Sequence, residues 1–137
     1  MMPHFTDSLV ASEFEVFVGQ DAVKGVFRVT DFVSFQLDAH GSRLKPSFSI
    51  AKMVQHDATN AFNSWLRETT DARHSETRPT REIVLKAVDD GTVTRTWTIK
   101  GAYIVAVRYS DFNVASFDMV AETVTIAYED IEEAFHI

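Results

Sequence analysis

Apolar and polar residues alternate along most of this chain, which is the period of β-strands with one face in a core. Glu13-Phe14-Glu15-Val16-Phe17-Val18 opens the pattern, and Gly19-Gln20-Asp21 punctuates it as a turn. Val26–Leu37 (VFRVTDFVSFQL) is rich in Val and Phe and predicts a long or bent strand, with Gly25 as a bulge near its start. After the break at Pro46, Phe48, Ile50 and Val54 predict another strand. Further strands are expected at Arg81–Val88, Val93–Lys100, Gly101–Arg108 and Met119–Glu129. Asp90-Gly91 between two alternating runs signals a tight hairpin, because its turn needs positive φ.

One segment keeps a different period. Ala58, Ala61, Phe62, Trp65 and Leu66 recur at helical spacing, so the sequence predicts a short helix over about residues 57–68, with Asp57 as N-cap. The polar stretch from Thr69 to Thr80 reads as the longest loop, and the acidic run Glu129-Asp130-Ile131-Glu132-Glu133 as an exposed terminus. The fold class expected is mainly β: one antiparallel β-barrel or sandwich domain over 1–137, with the helix plugging an open end.

Composition narrows the function more than the fold. A net charge of −7 with no basic run disfavours tight nucleic-acid binding, which needs cations to neutralise phosphates. Cysteine is absent, excluding disulfides, thiolate metal sites and cysteine nucleophiles. The longest apolar run, Tyr103–Val107, is far short of the roughly 20 residues of a membrane helix, and Met1–Phe5 lacks the features of a secretory signal. Membrane insertion is therefore not expected. His4, His40, His56, His74 and His136 make no paired metal-ligand spacing, and His40-Gly41-Ser42 reads as a turn rather than a nucleophile. The isolated glycines build no phosphate cradle. Glu122 shares a strand face with Val120, Val124 and Ile126, so it is either a perturbed acid–base group or half of a buried salt bridge. The salt bridge is preferred, with Arg81 or Arg95 as partner. Trp65 and Trp97 are expected core anchors, and no cofactor or enzymatic activity is implied.

The order of these pieces resembles the tail-tube protein family of contractile phage tails and related injection systems. The resemblance rests on the strands at Phe14–Val18 and Phe27–Phe35, the helix bearing Trp65, and the strand Arg81-Glu82-Ile83-Val84-Leu85. It continues through the hairpin Asp89-Asp90-Gly91, the strand ending Arg95-Thr96-Trp97-Thr98-Ile99, and the closing strand Ala121–Glu129 with Glu122 and Glu129. Many members carry a longer Gly-rich insertion where this chain has only Asp38–Pro46.

The resemblance implies a structural subunit that stacks as rings, hexameric in this family, inside a contractile sheath. Its partners would be further copies, the sheath, baseplate and tail-terminator proteins. DNA or protein cargo would pass without tight binding, favoured by an acidic bore. Its location would be a virion tail or an injection particle made in the bacterial cytoplasm. Asp38, His40, Arg43 and Lys45 become the candidate ring-to-ring contact, so that changing Arg43 and Lys45 to Glu would shorten tubes and leave the fold intact. Thr94, Thr96 and Thr98, or Thr123 and Thr125, become candidate bore residues. The alternatives are a tube initiator or terminator, a secreted ring protein of a type VI-like system, or a small barrel binding an apolar ligand.

Overall fold

A computed structural model describes residues 8–72 and 75–136. His4 and His74 lie outside the described residues. In chain order the elements are β1 (Phe14–Val18), β2 (Asp21–Ala22), β3 (Val26–Thr30), β4 (Gln36–Leu37), β5 (Arg43–Leu44) and β6 (Phe48–Met53). The helix α1 (Ala61–Asp71) follows, then β7 (Arg81–Asp89), β8 (Thr92–Tyr109), β9 (Ala121–Ala127) and β10 (Asp130–Phe135).

All strand pairs are antiparallel, in the order β2-β1-β7-β8-β9-β6-β3, with β10 also on β8 and β4–β5 as a separate hairpin. The 18-residue β8 makes this path into two walls. Its first half pairs with β7 and β10, and its second half pairs with β9. The turning point is Gly101, whose φ of 63° is open to glycine and costly for other residues. A Cβ there would lie 2.6 Å from Glu129 Cγ. The two strands expected at Val93–Lys100 and Gly101–Arg108 are therefore one, bent strand.

The core lies between the walls. Val16, Val18, Ile83 and Ile99 come from the first wall, and Phe48, Ile50, Val124 and Ile126 from the second. Trp65 is fully enclosed, packs edge-on to Phe62, and donates from Nε1 to Pro79 O at 3.0 Å. Trp97 is partly buried and stacks edge-on to Phe32.

The helix starts later than its apolar spacing predicts. Asn60 is the cap, its side chain accepting from Asn63 N at 2.8 Å. Asp57 instead accepts from Thr59 N and Thr59 Oγ1, forming a turn before the helix, and those bonds hold its carboxyl below the ordinary carboxylate value. Ala58 is exposed and belongs to that turn, so the buried face runs through Phe62 and Trp65. The long strand expected at Val26–Leu37 ends at Thr30, where Asp31 takes a φ of 60°. The expected acidic terminus is β10, because Ile131 is buried and the strand completes an edge of β8. Asp90 and Gly91, with φ of 48° and 82°, form the expected tight hairpin.

Candidate assembly interface

Each candidate residue sits on a defined surface. Asp38, His40, Arg43 and Lys45 lie on or beside the β4–β5 hairpin. Asp38 Oδ1 accepts from His40 N and Ser42 N, so its carboxylate is engaged in holding the turn. Arg43 is turned inward: Nη2 donates to Ser34 O at 3.2 Å, Nη1 lies 3.3 Å from Asp130, and the guanidinium stands over the Phe35 ring. Arg43 thus fastens the hairpin to the body, and replacing it with Glu would disturb the fold as well as any contact. His40 and Lys45 are exposed on this hairpin, together with Phe35, Leu37 and Leu44.

Both threonine rows face away from the core, on different walls. Thr94, Thr96 and Thr98 alternate with Trp97 and the buried Ile99 on the first wall. Thr94 Oγ1 donates to Ala87 O, and Thr96 Oγ1 is 2.7 Å from His136 Nε2. Thr123 and Thr125 alternate with the buried Glu122, Val124 and Ile126 on the second wall. Their neighbours across the strands are Ser49, Ala51, Ala106 and Arg108, with Thr30 and Arg28 one strand further on. The paired positions of this face hold two arginines and no carboxylate. Glu15 and Glu132, by contrast, flank Lys86 and Thr98 on the first wall.

The expected Glu122–Arg81 pair does not form. Glu122 is buried, but its partner is the equally buried Lys52, whose Nζ donates to Glu122 Oε1 at 2.8 Å and to Met53 O, and lies over the Phe62 ring. The antiparallel register sets Lys52 directly opposite Glu122. Arg81 instead pairs with Glu68 on the helix, and Arg95 reaches Glu133. Burial also raises the Tyr109 hydroxyl above its ordinary value, with Glu122 adding to the effect.

Two features that periodicity does not reveal dominate the rest of the surface. The second wall, β3-β6-β9 with the latter half of β8, has no strand on either outer edge among the described residues. Beside its β8 edge runs a groove of about 740 Å³ lined by Tyr103, Val105, Val107 and the segment after the helix. The connection between β8 and β9 leaves Phe112, Val114, Phe117 and Met119 largely in water. Among the described residues no group of three or more His, Cys, Asp or Glu could hold a metal ion, and no helix is long and apolar enough to cross a membrane.

Two antiparallel walls thus enclose one core, and among the described residues the second wall is open at both its outer strands, β3 and the latter half of β8. The sequence profile of the family described as T4-like virus tail tube protein gp19 matches residues 34–132, and the chain belongs to that family. Among solved structures it is similar to a chain of the PVC sheath–tube complex of an extracellular contractile injection system in the extended state. That match has a TM-score of 0.73 and 15% identity, covering 96% of this chain and 94% of that one. The anti-feeding prophage tube-terminating cap gives 0.71 at 14% identity, over 99% of this chain and 97% of that one. Hcp1 from Flavobacterium johnsoniae gives 0.56 at 15% identity, over 90% of this chain and 96% of that one. A search of curated proteins finds no match.

Proposed function

We propose that this chain is the repeating subunit of a tail tube: copies join side by side into rings, and the rings stack into a hollow conduit inside a contractile sheath. The observation that carries this reading is the pair of open edges on the second wall. Its four strands alternate in direction, so β8 of one copy runs opposite to β3 of the next. A neighbour's β3 therefore adds to β8 as one more antiparallel strand. Every seam is identical, and a closed ring leaves neither edge of the second wall free to recruit unwanted strands.

In such a ring the second wall lines the bore. The lining is then Thr123, Thr125, Ser49 and small side chains, with Arg108, instead of the acidic bore that the resemblance implies. Thr94, Thr96 and Thr98 belong to the outer surface. Ring-to-ring contact uses the β4–β5 hairpin through His40 and Lys45, with Phe35, Leu37 and Leu44 supplying apolar area. The role is structural and needs no catalytic group. The remaining partners are sheath, baseplate and terminator proteins, with DNA or protein as cargo, and the place is a virion tail or an injection particle.

A second reading, a ring that caps a tube, draws support from the similarity to the anti-feeding prophage cap. Electron microscopy of the purified protein over a concentration series separates the two. Hollow rods of constant width are the expected result. Discrete rings that never elongate favour the cap, and a monomer at every concentration, with or without its sheath protein, contradicts both.

A further inference from the structure

The loop between β8 and β9 is built to keep apolar side chains in water. Its base is closed by Ser110 N donating to Ala121 O and Ala121 N donating to Ser110 Oγ, and Val54 N ties Val120 O to the end of β6. Its tip is folded by Asn113, whose carboxamide and backbone oxygens accept from Ala115 N and Ser116 N. Ser116 Oγ then accepts from Asp118 N. These bonds hold Phe112, Val114, Phe117 and Met119 outward at 80%, 109%, 104% and 78% exposure. Four large apolar groups exposed on one loop, held by its own hydrogen bonds, are a concentration that marks an interaction site.

The same chain carries a matching groove. Leu9, Val10, Phe14, Phe27 and Trp97 line an apolar cleft of about 410 Å³, in which Leu9, Val10 and Phe27 are exposed. Arg28 stands at the cleft over the Phe27 ring, with no carboxylate partner among the described residues. The loop carries the opposite charge, Asp111 and Asp118, beside its two phenylalanines. The loop does not fill the cleft of its own chain, since Phe112, Val114, Phe117 and Met119 remain exposed.

We propose that the Ser110–Val120 loop is a clasp: Phe117 and Val114 seat in the Leu9–Val10–Phe27–Trp97 cleft of a second copy of this chain, and Asp118 meets that copy's Arg28. The proposal rests on the ring described above. When β3 of one copy lies antiparallel to β8 of another, the end of β8, and so the loop, arrives beside Val26 and Phe27. Knob and cleft are different surfaces, so the contact is heterologous and repeats from copy to copy around the assembly.

The chain contains no cysteine, so a pair can be introduced cleanly. Leu9→Cys with Val114→Cys, treated with a short thiol-specific cross-linker, is expected to give a ladder of covalent oligomers that Leu9→Cys alone does not give. Phe117→Ser is expected to leave the melting curve unchanged and to raise the concentration needed for assembly at least tenfold. Arg28→Asp should weaken assembly likewise, and Asp118→Arg added to it should restore it. Absence of the ladder from assembled protein, or rods from Phe117→Ser at the wild-type concentration, overturns the clasp while the tube stands. A wild-type chain that never assembles overturns the tube and the clasp together.

Discussion

Lys52 and Glu122 are enclosed at 0% and 2% exposure on adjacent strands, each satisfying the other's charge. Removing one partner leaves an uncompensated buried charge, so Lys52→Met or Glu122→Gln alone should cost about 3–5 kcal/mol in urea unfolding. Lys52→Met with Glu122→Leu should recover most of that loss, which a double-mutant cycle would measure as strong coupling. Glu122 is legible from sequence as a carboxylate in an apolar row, but its partner is not. The 70-position separation between them spans the helix and two long strands, and only the β6–β9 register decides which cation arrives. Tyr128 offers a test by pH. Burial holds its hydroxyl above the ordinary value of 10.0, so the folded chain keeps that proton more tightly than the unfolded one. Its contribution to stability is complete below about pH 10 and is lost as pH rises through the raised folded value. Tyr128→Phe should therefore flatten the alkaline decline in stability measured between pH 9 and 11.5, while costing under about 1 kcal/mol at neutral pH.

Among the elements, β8 gives the fold its shape, and its bend depends on one glycine. Gly101→Ala meets positive φ and the Glu129 side chain together, and should destabilise by more than about 1 kcal/mol in thermal or denaturant unfolding. Adding Glu129→Ala should relieve the contact and leave the backbone strain. At the helix, Asn60→Ala removes the cap at Asn63 N and should cost about 1 kcal/mol. Strand identities and the Asp90-Gly91 hairpin are legible because their signals are local: alternation, β-branched and aromatic residues, and a turn needing positive φ. The helix start is less so, because Asp57 and Asn60 are both good caps and the choice falls to Phe62 and Trp65 entering the core. β10 is hidden by its acidic side chains, which lie on an exposed edge while Ile131 alone reaches the core.

At the scale of the whole molecule, the surface is organised for joining. Lys45→Glu with His40→Glu should shorten or abolish rods in electron micrographs without changing the melting temperature, since neither side chain holds the hairpin. Arg43→Glu should lower the melting temperature as well, because Arg43 bridges Ser34 and Asp130. The family pattern is legible in the order of elements, whereas the joining surfaces are not. Open edges are a property of topology, and the apolar loop has no period to distinguish it from a strand. In the proposed ring the second wall continues from copy to copy. Amide hydrogen exchange, compared between dispersed and assembled protein, tests it most directly. Strong new protection at Val26–Thr30 and Tyr103–Tyr109 is the predicted result. Assembled particles in which both segments exchange as fast as in the dispersed chain would rule out a wall shared between copies.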